Sequence, residues 1–252
     1  MKRRRRIAAA LASLGLLLAG CGDGGSGTTG QKTEQKTDQP AKKKPDPAAD
    51  RARAERINLT LADLGPGWTI DTSEEPGDAE SGKAFDDAFD KALEAKGFEP
   101  SESRAVDVDS PDFVKGEERS AFSTTSVYEE EGDAREEFSL SRDPDFLTAV
   151  SNGFNEGIQA GLAEDPETRG VTASPIAFTA VPFPVLGQET VAFKGSTALR
   201  YSEARITVHF HAVGIRHDRA VALLLVSQQG RQEYPQAELQ ALATKMAQRM
   251  AA

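Results

Sequence analysis

Apolar side chains recur every four positions in some stretches of this chain and alternate or cluster in others. Phe85, Phe89 and Leu93 stand at i, i+4 and i+8, which predicts a helix over residues 84–96 with Gly97 as its stop. Residues 119–128 are rich in Ser, Thr, Val and aromatics and read as a strand. A short charged helix over 129–141 follows, showing Ala134 and Phe138 on one face. After Asp143-Pro144 the same four-residue spacing returns in Phe146, Val150, Phe154 and Ile158, predicting a long helix to about residue 162. Gly153, Gly157 and Gly161 weaken its second half. Strands follow at roughly 171–181, 189–194, 204–215 and 220–227, with Arg216-His217-Asp218-Arg219 as a tight connection. The run Val221–Val226 is apolar on both faces and predicts a central strand. Leu239, Leu242, Met246 and Met250 form one face of a last helix that starts near Pro235. This order predicts an α+β fold, an antiparallel β-sheet with helices packed mainly on one face.

Upstream, the pattern changes kind. Lys2, Arg3, Arg4, Arg5 and Arg6 precede an apolar run over residues 7–19, and Cys21 follows Ala19 and Gly20. Thirteen helical residues rise roughly 20 Å, short of the ~30 Å hydrocarbon core, so a signal peptide fits and a spanning helix does not. Leu18-Ala19-Gly20-Cys21 resembles a bacterial lipobox. The resemblance implies cleavage between Gly20 and Cys21 and a diacylglyceryl group, with palmitate-type acyl chains, on the Cys21 thiol. The competing reading is a buried structural cysteine after an ordinary signal peptide. Cys21 is the sole cysteine, and lipidation accounts for an otherwise odd thiol.

Residues 1–20 are therefore expected to be lipoprotein signal peptide and 21–56 the lipidated cysteine with a disordered tether. Residues 57–252 are expected to form a single α+β domain. The tether reading rests on low hydrophobicity and the absence of Phe, Trp and Tyr from 22–56. Ala and Arg enrichment at its end, 46–57, favours helix. The domain announces itself at Leu59, Leu61 and Leu64 and at the Gly65-Pro66-Gly67-Trp68 turn, with Trp68 as an inward packing anchor.

Charge then narrows the partners. Residues 57–252 hold 17 basic and 34 acidic side chains, which argues against nucleic acid and against lying flat on anionic lipid. Anchoring would fall to the acyl chains, placing the protein at the extracytoplasmic face of the cell membrane.

Three stretches carry metal-like or phosphate-like spacing. Residues 77–83 read G-x-x-x-x-G-K, but Ala84 stands where a phosphate loop needs a hydroxyl, and four nearby carboxylates repel phosphate. Asp107, Asp109 and Glu118 match positions 1, 3 and 12 of a calcium loop, while Pro111 and Asp112 occupy positions 5 and 6, the second of which requires Gly. A solvated acidic loop is favoured over a weak Ca²⁺ site there. His209 and His211, two apart on a strand, project from one face. They could hold Zn²⁺ or Cu²⁺ with His217 or Glu203, but Val213 and Ile215 continue that face and favour a partly wet rim that lines a ligand site. No metal or cofactor is expected. G-x-S-x-G, H-E-x-x-H and S-x-x-K are all absent, and a lipidated sole cysteine removes thiol catalysis, so no enzymatic activity is expected.

The lipobox and tether, followed by LTLADLGPGW at 59–68, EEEGDAREEF at 129–138, VLGQETVAF at 185–193 and GIRHDRAVALLL at 214–225, resemble actinobacterial cell-envelope lipoproteins. The folded part is similar to the extracytoplasmic sensor-type domains of such lipoproteins and of some receptor Ser/Thr kinases. That resemblance implies an antiparallel sheet with helices on one side, and no catalytic residues. Two functions stay open: a non-catalytic binding or sensor-like module with an unknown ligand or envelope-protein partner, and a structural or assembly lipoprotein acting through protein contacts.

Overall fold

A computed structural model describes residues 46–72, 103–164 and 168–252 and single positions between 87 and 97. The signal peptide, Cys21, most of the tether, most of the helix expected over 84–96 and the phosphate-loop-like 77–83 lie outside the described residues.

The first described element is a helix, α1 (Pro47–Ile57), in the stretch where Ala and Arg are enriched. Asp46 caps it, its carboxylate accepting from the amides of Ala48 and Ala49 at 3.1 and 3.3 Å, and Pro47 sits where no amide is needed. Asp50, Ala54 and Ile57 share its buried face. The sequence reading allots these residues to the end of the tether; in the structure they pack on the sheet. A single-turn helix, α2 (Leu61–Leu64), follows, and Trp68 lies 6 % exposed in the core as its anchor role requires.

Nine strands form one sheet: β1 (Thr69–Ile70), β2 (Arg104–Asp109), β3 (Phe113–Lys115), β4 (Arg119–Tyr128), β5 (Val171–Ala173), β6 (Thr179–Ala180), β7 (Glu189–Tyr201), β8 (Ala204–His217) and β9 (Ala220–Gln229). Three further helices are complete among the described residues: α3 (Glu131–Leu140), α4 (Pro144–Glu164) and α5 (Gln236–Met250). The centre runs β4-β9-β8-β7, all antiparallel. β2 and β3 share the free edge of β4, β5 and β6 share that of β7, and β1 continues beyond β3. The antiparallel α+β fold stands as expected, and β9 is central.

Strand alternation sorts the side chains onto two faces. One face carries Ala121 and Val127 of β4, Ala220, Ala222, Leu224 and Val226 of β9, Val213 and Ile215 of β8 and Ala192 of β7. Onto it pack Ala54 and Ile57 of α1 and Leu239, Leu242, Met246 and Met250 of α5. The other face carries Val208 and Phe210 of β8 and Leu199 of β7, with Phe154 and Ile158 of α4 among them. α3 covers the same side, because a Cβ on Gly214 would stand 3.4 Å from the Phe138 ring. Helices therefore lie on both faces rather than mainly on one. The reason is that β8 and β9 are apolar on both sides, and each side requires a cover.

Three element boundaries differ from the sequence reading. β7 runs seven residues past the expected 194, since Gly195-Ser196-Thr197 has turn-like composition but pairs with Phe210, His209 and Val208. The expected strand over 171–181 is broken, because Asn155 of α4 takes both backbone groups of Ile176 with its own amide. α4 continues to Glu164, with Gly153, Gly157 and Gly161 on its buried side.

Candidate functional site

The central strands place the two histidines. His211 and His209 lie on β8, on the face that α1 and α5 cover, one and two steps respectively beyond Val213. Antiparallel register sets their neighbours. Ser196 of β7 and Gln228 of β9 flank His209, and Arg119 of β4 comes next in that row. Lys194 of β7 and Val226 of β9 flank His211. The apolar face thus turns polar within two residues along each strand.

Residues 230–235, connecting β9 to α5, complete the arrangement. Glu233 pairs with Lys194 at 3.1 and 3.2 Å through both carboxylate oxygens, and the ammonium holds Glu233 below the usual carboxylate range. Tyr234 is buried, with the Arg119 guanidinium 5.4 Å from its ring centre, and burial pushes its hydroxyl up to about 12. Arg119 also donates to Glu238 at 3.1 Å in the first turn of α5.

Under this cover His211 is 8 % exposed and Gln228 6 %, while His209 is half-buried. His209 Nε2, His211 Nε2 and Gln228 Oε1 are buried and have no hydrogen-bond partner among the described residues. Burial holds the His211 imidazole below its ordinary value; Lys194 and His209 act in the same sense and Glu233 against it. Chemically, the site offers neutral imidazole nitrogen and amide oxygen at the margin of an apolar core.

The third ligands considered for the disfavoured metal site do not come near. His217 lies six residues along β8 from His211 and Glu203 six residues before His209, about 20 Å in each case. His217 instead stands with Nδ1 3.4 Å from Asp218. The calcium-like trio is also spread out. Asp107 and Asp109 are on β2 opposite Ser126 and Thr124, and Glu118 precedes β4, six residues from Thr124 and about 20 Å away. The stretch read as a solvated acidic loop is strand at 107–109 and 113–115, with the Asp107 carboxylate accepting from Ser126 and 3.8 Å from Arg104. Among the described residues no three His, Cys, Asp or Glu are grouped to hold a metal ion.

Sequence reasoning missed a different acidic cluster. Asp71 ends the β1 segment and donates its amide to the Asp112 carbonyl at 2.8 Å, so β1–β3 pairing draws both toward Asp109 at the end of β2. Burial, then the Asp71 and Asp109 charges, push the Asp112 carboxyl up to about 7. No sequence signal pointed to it: Asp71 lies 38 positions before Asp109, and the β1–β3 pairing that brings them near has only two residue pairs. It also missed the polar node at Asn58. There the Nδ2 group donates to Val108 O at 2.8 Å, and Oδ1 accepts from Ser123 and Thr125 at 3.2 and 2.7 Å. That node is satisfied inside the core and fastens the end of α1 to β2 and β4.

Among the described residues no helix is long and apolar enough to cross a membrane. No family model matches the sequence, and no curated protein matches it. Among solved structures, the chain has weak structural similarity to the extracellular domain of PknH from Mycobacterium tuberculosis, with a TM-score of 0.40 and 8% identity over 79% of this chain and 95% of that one.

Proposed function

We propose that the chain is a lipid-anchored, non-catalytic binding or sensor-like module on the extracytoplasmic face of a cell membrane. The observation that carries this reading is the sole cysteine, Cys21, directly after Ala19 and Gly20 at the end of a short apolar run with a five-residue basic start. The acidic balance of 57–252 supports acyl chains rather than surface charge as the anchor. The proposed module is built on neither the calcium-like nor the zinc-like set, whose members are dispersed. His209 and His211 are the proposed ligand-lining residues.

The anchor is tested by Cys21→Ala. Acylation and lipoprotein-type cleavage should both vanish; a processed wild-type product lacking acyl mass would overturn the proposal. The binding role is tested by native mass spectrometry of the full chain taken from its own membranes, before and after chelation. A bound organic molecule that survives chelation supports the module. A stable envelope-protein partner without any ligand favours the assembly lipoprotein instead.

A further inference from the structure

We infer that residues 230–235 form an acid-opened strap over His209 and His211. The inference does not depend on whether the domain binds a ligand. The chain leaves β9 after Gln229, reaches β7 where Glu233 meets Lys194, and returns at Pro235 to start α5. Its far end is fixed by Tyr234, buried in the core beside Arg119, whereas 230–233 are exposed and tied by the Gly230 amide on Thr207 O at 2.8 Å and the Lys194–Glu233 pair. The ion pair is exposed, with side chains 44% and 50% accessible, and such pairs contribute little.

The three polar atoms of His209, His211 and Gln228 that have no partner among the described residues lie in the strand rows of Arg119 and Lys194, the two side chains that meet this segment. A proton added to the His211 ring makes a cation in a place with no acceptor at Nε2. The charged groups around it do not favour that cation. Lys194 from β7 and His209 from β8 oppose it, and Glu233 from the strap favours it but is already engaged by Lys194. From β9 and β4 come Val226, Gln228 and Ala121, which carry no charge, and Arg119 and Glu238 engage each other. Opening the strap admits water to the ring. The closed form therefore binds the proton less well than the open form. Closure holds fully above an imidazole's ordinary value of about 6.5 and weakens as pH falls through it.

Hydrogen exchange of the full chain in mild detergent tests this, with labelling times scaled for the intrinsic pH dependence. Between pH 7.5 and 5.5, protection over 229–235 should fall by up to about tenfold, the limit for one proton on an imidazole of ordinary value about 6.5, while 242–250 of α5 keeps its protection. In His211→Gln the acid loss should disappear. Glu233→Gln, altering an exposed side chain, should raise strap exchange at both pH values and retain the acid response. Four results would each overturn the inference: strap protection independent of pH, an acid loss that persists in His211→Gln, an acid loss absent from Glu233→Gln, and a loss spread evenly over the sheet.

Discussion

The two faces of the central sheet are covered in different ways. On the first, α1 and α5 lay aliphatic and sulfur-containing side chains over small strand residues, and charged groups fasten the helices from outside. Arg219 donates to Asp50 at 2.6 Å and to Tyr128 O at 2.7 Å, and Arg249 holds Asp63 at 2.5 Å. On the second, aromatic rings do the filling. Phe154 meets Phe178 edge-on at 4.9 Å and Phe210 at 6.0 Å. The fastening there is by uncharged side chains on backbone: Asn155 on Ile176, and Ser151 Oγ accepting from Phe178 N at 3.0 Å. Gly195 belongs to this second scheme, since a Cβ there would sit 2.9 Å from Ile176. The difference teaches that one sheet supports two unlike closures. One is redundant and long-range; the other depends on a few shape-specific contacts between α4 and residues 174–178.

That contrast can be broken most severely at Phe154. Truncating it to Ala removes the ring that both neighbouring aromatics pack against and should cost about 3–5 kcal/mol. Exchange should rise first in α4 and over 171–178, whereas Met246→Ala should loosen α1 and α5. Equal rises on both faces in both variants would show the two closures to be one cooperative unit. A smaller effect is expected for Asn155→Ala, which leaves the amide and carbonyl of Ile176 without their partner. A loss of about 2–3 kcal/mol should follow in denaturant titration, with residues 174–178 becoming accessible to protease. An unchanged midpoint would mean that water replaces the amide at no cost.

What was legible in the sequence follows the same division. The repeat of Leu239, Leu242, Met246 and Met250 named the α5 face correctly, and the doubly apolar β9 revealed its central place, because burial imposes its period on long regular elements. Nothing in the sequence said that α3 and α4 would take the opposite face. Phe138 and Phe154 have a period but no marker of which side of the sheet they meet. The broken strand at 174–178 was illegible for a related reason: a partner 21 residues away, Asn155, replaces the strand neighbour. The site was half legible. Alternation put His209 and His211 on one face, yet Glu233, which meets Lys194 beside His211, comes from residues 230–235, which no periodic pattern marks.

The smallest effect sharpens the comparison at the edge of the first face, where Asp112 meets Asp71 and Asp109. Its carboxyl, raised to about 7, binds a proton more tightly folded than unfolded. Folding thus carries a penalty above pH 7 that shrinks as pH falls toward 4. Asp112→Asn should therefore stabilise by about 1 kcal/mol at pH 8, and the gain should vanish near pH 4. Thermal melts at both values check the sign; a gain independent of pH would assign the effect to something other than charge.

The contacts between α1 and α5 have a consequence in time. Arg53 donates to Met250 O at 3.4 Å and Arg249 to Asn58 O at 2.9 Å, joining residues more than 190 positions apart. Synthesis at about 5–20 residues per second leaves α1 without its last neighbour for roughly 10–40 s. During that interval Ala54 and Ile57 have no α5 beside them, and the first face of the sheet stays open along its centre. Its closure is thus a late, non-local step, and the nascent chain presents an uncovered apolar surface for as long as that step is pending.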